Sequence, residues 1–144
     1  AEDVHYNTSG NRTVFELNIA KAYPDAARVK SWKRSLTFNR YKNIVLQENY
    51  ELKEFVSPFM LSLLTPLDVT INKNVIILKG ISLSGESYGL KLKYDSRKFD
   101  VEVEDKKMDD ETLKRLWPKD LRRIKFISKG KAVKGGYKIT FEKL

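Results

Sequence analysis

The chain contains no cysteine, only one histidine and no apolar run long enough to span a membrane. The lack of cysteine excludes disulfides and thiolate chemistry. A single histidine, His5, cannot build a histidine-rich metal site, and carboxylates alone would suit calcium better than zinc. No EF-hand spacing is present. The sequence therefore predicts no metal, no cofactor and no membrane span, and the chain itself contains no signal peptide.

Catalytic motifs are also missing. A hydrolytic triad needs a base beside a nucleophile, and His5 lies in a polar terminal segment. The glycines have neither P-loop nor dinucleotide-binding spacing. The acidic residues of 102–105 and 109–111 are better explained as an outward strand face followed by a helix start. We therefore assign no catalytic residue from the sequence.

Positive charge is in excess. The 144 residues include 28 Lys and Arg against 19 Asp and Glu, which gives a net charge of +9. Such an excess favours a polyanionic partner: nucleic acid, an anionic membrane surface or an acidic polysaccharide. The alternative is that lysines solvate a β-sheet surface and protect its edges. Charge alone leaves both interpretations open.

A long hairpin is predicted in the segment 22–52. Trp32, Leu36 and Phe38 alternate on one face of a first strand, and 44–52 repeats this period in a second strand. The polar segment 39–43 should turn the chain between them. Arg34 and Glu48 also fall on the apolar faces. Because a buried charge needs a partner, we expect them to lie opposite each other or near a solvated edge.

The rest of the chain shows the same alternation. It predicts about ten short strands separated by turns, with one short helix near 112–117. This pattern is typical of an all-β antiparallel sandwich. Residues 1–10 are polar and predict a flexible tail or linker stub. Residues 11–144 predict a single sandwich domain.

Several short motifs resemble the C-terminal region of the heparinase II/III-like polysaccharide lyases. They occur in the order that family shows and together cover the segment from 11 to 144. They are packing and turn features rather than a catalytic signature. The motifs are Ala22-Tyr23-Pro24, Ala27 with Val29–Arg34, Asn39–Asn43, Tyr50–Leu52, Leu63–Pro66, Leu113 with Trp117, and Leu121 with Arg123-Ile124.

The resemblance implies a role within a larger enzyme. Members of this family join an N-terminal α/α-toroid to a C-terminal antiparallel β-sandwich and cleave acidic polysaccharides by β-elimination. Their catalytic residues lie mainly in the toroid. The resemblance thus implies an accessory domain that is inactive alone, has the toroid of the same protein as its partner, and works in the periplasm or after secretion. No catalytic or metal residue is carried over to this chain.

Five residues are candidates for polyanion binding. Arg40, Tyr41 and Lys42 lie in the hairpin turn, and Lys131 and Lys134 lie in a late glycine-flanked loop. A tyrosine can stack on a sugar, while cationic side chains pair with carboxylate or sulfate. The alternative is that these charges are only solvated. Two other functions stay open: a stand-alone module for anionic glycans and, less favoured, a nucleic-acid-binding β-domain.

Overall fold

The computed structural model describes residues 1–82, 84–116 and 120–144, apart from the side chains of Leu113 and Leu116. These residues form strands, two 3-10 turns (Ala20–Ala22 and Asp25–Ala27) and one helix, α1 (Glu111–Leu116). The strands are β1 (Glu2–Ser9), β2 (Arg12–Asn18), β3 (Val29–Asn39), β4 (Asn43–Leu52), β5 (Met60–Thr65), β6 (Asp68–Asn72), β7 (Val75–Ile81), β8 (Ser87–Lys93), β9 (Phe99–Lys106), β10 (Leu121–Ser128) and β11 (Lys134–Lys143).

The strands build two sheets of unequal size. The larger sheet has eight strands in the order β1-β2-β3-β4-β11-β8-β7-β6, and the smaller has three in the order β5-β10-β9. Every described strand pair is antiparallel. The predicted all-β antiparallel sandwich is therefore confirmed.

The core lies where the small sheet covers the large one. Ile124 and Phe126 of β10 are fully buried, as are Ile76, Leu92 and Ile139 of the large sheet. Alternation places these side chains on the facing surfaces of the two sheets. No described residue of β1 or β2 belongs to this core. The small sheet therefore leaves one end of the large sheet uncovered.

The N-terminal segment differs from the prediction. Residues 1–10 were expected to form a flexible tail, but Glu2–Ser9 is strand β1, which pairs with β2. All eight of its side chains are exposed. The strand is held by backbone hydrogen bonds at a sheet edge, so its sequence needs no apolar alternation and gave no strand signal.

The predicted helix is present with slightly different bounds. It was expected near 112–117 and is observed at Glu111–Leu116. Asp110 accepts a hydrogen bond from the backbone N–H of Thr112, and Glu111 lies in the first turn. The predicted end at Trp117 and the break at Pro118 lie outside the described residues. Among those described, no helix is long and apolar enough to cross a membrane.

Candidate functional site

The paired charges of the hairpin meet as predicted. Arg34 on β3 lies directly opposite Glu48 on β4, and Arg34 Nε donates to Glu48 Oε1 at 2.5 Å. The Glu48 side chain is fully buried, whereas 30% of the Arg34 side chain is exposed. The ion pair therefore extends from the interior to a partly exposed position on the same face of the sheet, and the expectation of facing charges is confirmed.

Two neutral donors complete the surroundings of Glu48. Trp32 Nε1 donates to Glu48 Oε2, and the Tyr137 hydroxyl donates to the same oxygen at 2.7 Å. Trp32 and Tyr137 are themselves buried. Three donors from β3 and β11 thus satisfy one carboxylate of β4. Sequence reasoning found Arg34 and missed Trp32 and Tyr137, although alternation places both on the same face as Glu48.

This cluster is poorly suited to proton transfer with a ligand. Burial, and then the nearby Glu48 carboxylate, raise the pKa of Tyr137 far above its ordinary value. The phenol therefore keeps its proton and donates a hydrogen bond to Glu48. Its ring stacks on Phe59 and meets Phe99 edge-on. A base that acts on a substrate must be deprotonated and within reach, so the cluster has a structural role.

The five predicted polyanion-binding residues do not form one site. Arg40, Tyr41 and Lys42 lie in the β3–β4 turn, while Lys131 lies in the loop before β11 and Lys134 is the first residue of β11. Because β11 runs antiparallel to β4, with Lys134 opposite Glu51, the two groups lie at opposite ends of β4. A ten-residue strand separates them by about 30 Å. Tyr41 is 99% exposed, with no ring contact.

A groove runs along the edge where the β8–β9 turn meets the outer face of the large sheet. It consists of three concavities of about 330, 280 and 610 Å³, and the 280 Å³ concavity shares lining residues with each of the other two. We call it the basic groove. Its described lining contains seven cationic and two anionic side chains: Lys33, Lys93, Arg97, Lys98, Lys129, Lys134 and Lys138, with Glu51 and Asp95.

Only one of the predicted residues lines this groove, namely Lys134. Lys33, Lys98 and Lys138 were missed because they come from β3, the β8–β9 turn and β11. The sequence did contain one signal, the alternation of side chains along each strand. Lys33 and Lys138 alternate with apolar residues that point inward, so both lysines are predicted to point outward. That signal gives a direction for each side chain but does not show that distant strands bring them together.

A second surface lies on the inner face of the large sheet, beyond the small sheet. We call it the apolar shelf and define it by Phe15, Leu36, Phe38, Ile44 and Leu90. Each of these side chains is between 37% and 45% exposed. Phe15 lies opposite Leu36, and Phe38 lies opposite Ile44, so the members form neighbouring rows. Contiguous exposed apolar surface of this kind marks an interaction site.

The described residues contain no group of three or more His, Cys, Asp or Glu side chains that could hold a metal ion. His5 is exposed on the edge strand β1. The structure thus brings together charges for binding and apolar groups for packing within the described part of the chain.

No family model matches this sequence. No curated protein matches it either. Among solved structures, the chain is similar to heparan sulfate lyase HepC from Pedobacter heparinus, with a TM-score of 0.61 and 15% identity. A mutant of the same lyase gives a TM-score of 0.63, also at 15% identity. Both matches cover 97% of this chain and 21% of the lyase chain. The chain therefore has the fold of a segment about one fifth of that lyase's length, which agrees with the family resemblance of the sequence.

Replacing Glu48 with Gln should destabilise the sandwich. The change removes the charge that Arg34 pairs with and places an amide N–H₂ beside groups that donate hydrogen bonds. We expect the free energy of unfolding to fall by about 3 kcal/mol, measured by denaturant titration. Glu51→Gln is the matched control, because it removes the same charge from a position of β4 where 35% of the side chain is exposed, and it should have a much smaller effect. Equal losses would contradict the structural role of Glu48.

Stability should also fall in alkaline solution. The pKa of Tyr137 is raised in the folded state, so above pH 10 the unfolded chain releases a proton that the folded chain keeps. This favours unfolding by about 1.4 kcal/mol per pH unit. Tyr137→Phe should reduce the slope of unfolding free energy against pH by that amount above pH 10 and leave it unchanged near pH 8, measured by denaturant titration between pH 8 and pH 11. Tyr41→Phe, at an exposed ring, should keep the wild-type slope, and an unchanged slope in Tyr137→Phe would refute the assignment.

Proposed function

We propose that this chain is the accessory β-sandwich of a heparinase II/III-like lyase that degrades acidic polysaccharide by β-elimination. In this proposal it supports an α/α-toroid of the same protein, where the reaction takes place, and it is inactive alone. The observation that carries the proposal is the fold, which matches 97% of this chain to about a fifth of a heparan sulfate lyase chain. The setting would be the periplasm or the cell exterior.

The chemistry of the described interior supports an accessory role. β-Elimination requires a base that removes the proton beside the uronate carboxylate. Tyr137 is buried and protonated, and its hydroxyl already donates to Glu48. His5 is exposed on the edge strand β1, and three strands of the large sheet separate β1 from β11. Neither residue is placed to act as that base.

The apolar shelf supports attachment to a larger body. Its rows of half-exposed side chains lie on a face whose other end is covered by the small sheet. We propose that the catalytic domain of the same protein covers the shelf. The matched lyases extend well beyond the region of similarity, since this chain spans about a fifth of their length. Such a neighbour would remove the exposed apolar area from water.

The basic groove favours a second candidate function, a stand-alone module that binds anionic glycans. This candidate and the accessory role differ in what the gene encodes and in what the isolated chain can do. The accessory role requires a helical domain before the sandwich in the full-length product. A gene that encodes the sandwich alone would favour the binding module.

The isolated chain should release no unsaturated uronate from acidic polysaccharide, whereas the full-length product should release it. The measurement is the ultraviolet absorbance of the unsaturated uronate product. The isolated chain must first show the far-ultraviolet circular dichroism of a folded β-protein. Product release by the folded isolated chain, at a rate near that of the full-length protein, would overturn the accessory role.

A charged residue on the shelf should disturb domain attachment without unfolding the sandwich. Phe38 is 45% exposed, so Phe38→Lys should leave the isolated chain folded. In the full-length protein the same change should increase proteolytic cleavage between the domains, because the lysine cannot be buried there unpaired. Leu64→Lys is the control, since Leu64 is an exposed apolar residue of the small sheet. Equal cleavage of both variants would argue against the shelf as the attachment surface.

A further inference from the structure

We infer that the basic groove is a binding site for a linear acidic polysaccharide. The existence of an anion-binding groove follows from its geometry and charge. The choice of polysaccharide as the ligand rests on the proposed function.

The first argument is uncompensated charge. In the described part of the chain, neither Lys33 nor Lys138 has an ion-pair partner. Their neighbours on β4 are the neutral side chains of Asn49 and Gln47. Lys98 Nζ donates to the carbonyl oxygen of Gly136 at 2.5 Å and forms no ion pair among the described residues, although the Asp95 carboxylate lies close enough to interact with its charge. None of the three ammonium groups is therefore held in a described ion pair, and a bound anion would supply one.

The other groove cations help to hold the walls. Arg97 pairs with Asp95 within the β8–β9 turn, with Nη2 to Oδ2 at 3.0 Å. Lys129 contacts the Asp100 carboxylate and the carbonyl oxygen of Ser96, each at 3.0 Å. These contacts fix the turn that forms one wall. The binding role is thus assigned to Lys33, Lys98 and Lys138, which are spread along the groove.

The second argument is shape. The groove crosses β3, β4, β11 and β8, and three inter-strand steps give it a width across the sheet of about 14 Å. The floor of the groove at Gly136 has no room for a side chain. A Cβ there would lie 2.4 Å from Asn49 Oδ1 and 2.7 Å from the Glu48 carbonyl oxygen. The amide of Asn49 and the hydroxyl of Thr140 also line the groove. An elongated ligand with several anionic groups and hydroxyls fits this arrangement better than a single small ion.

The third argument distinguishes a polysaccharide from single-stranded nucleic acid. Nucleic-acid channels combine cations with aromatic rings on which bases stack. The groove rings are already engaged: Tyr50 stacks on Trp32 with ring centroids 5.3 Å apart, and Phe59 stacks on Tyr137 at 5.7 Å. The described lining therefore offers cations and polar groups without a free stacking platform. This chemistry favours a sulfated or uronate-containing glycan.

The test compares two double variants that lose the same charge. Lys33→Gln/Lys138→Gln neutralises both ends of the groove, while Arg40→Gln/Lys42→Gln neutralises the hairpin turn at the other end of β4. None of these four side chains has a described partner, so both variants should fold. The probe is a size-defined heparin oligosaccharide, titrated against the isolated chain by calorimetry at two salt concentrations. We expect the groove variant to weaken binding about tenfold and the turn variant to change it far less.

Three outcomes would overturn the inference. Equal weakening by the two variants would mean diffuse attraction to a basic protein. Unchanged affinity in the groove variant would place the site elsewhere. Tighter binding of single-stranded DNA than of the oligosaccharide, lost in the groove variant, would make nucleic acid the ligand. None of these results bears on whether the isolated chain releases unsaturated uronate, so failure of the groove and failure of the accessory role are distinguishable.

Discussion

The buried carboxylate of Glu48 is the constraint on which the arrangement of the large sheet depends. A charge in the interior is tolerated only when it is paired and hydrogen-bonded. Arg34 and Trp32 on β3 and Tyr137 on β11 meet that requirement from both neighbouring strands. A shift of one residue in either pairing would send these donors to the opposite face. The carboxylate therefore fixes the register of the three central strands, and with it the positions of every surface built on them.

The unequal size of the sheets explains why one sandwich carries two different surfaces. Three strands cannot cover eight, so part of the inner face stays exposed as the apolar shelf. The basic groove uses the outer face and a turn instead. Obligate interfaces are more apolar than reversible ones, which are polar and hydrated. The shelf thus suits a permanent neighbour and the groove suits a ligand that binds and leaves.

The sequence predicted what local alternation encodes and failed where distant parts meet. It predicted the hairpin, the facing of Arg34 and Glu48, and the sandwich. Leu36, Phe38 and Ile44 were correctly placed on the apolar face, yet they are partly exposed. Alternation indicates which way a side chain points, not whether another sheet covers it. Strand β1 was not predicted because its side chains are all exposed and show no apolar alternation. The basic groove was not predicted because its cations lie far apart in the chain.

The distribution of paired charges bears on both interpretations of the positive excess. On the small sheet, cations of β10 face carboxylates of β9: Lys125 lies opposite Glu102 and Arg123 opposite Glu104. Lys125 Nζ lies 2.8 Å from Glu102 Oε2. On this sheet the cations lie on a solvated surface and pair with carboxylates of the neighbouring strand, as the simpler interpretation predicts. In the groove, Lys33 and Lys138 face amides instead. The excess charge is therefore not spread evenly, and its concentration in the groove is the arrangement that the proposed anionic ligand would require.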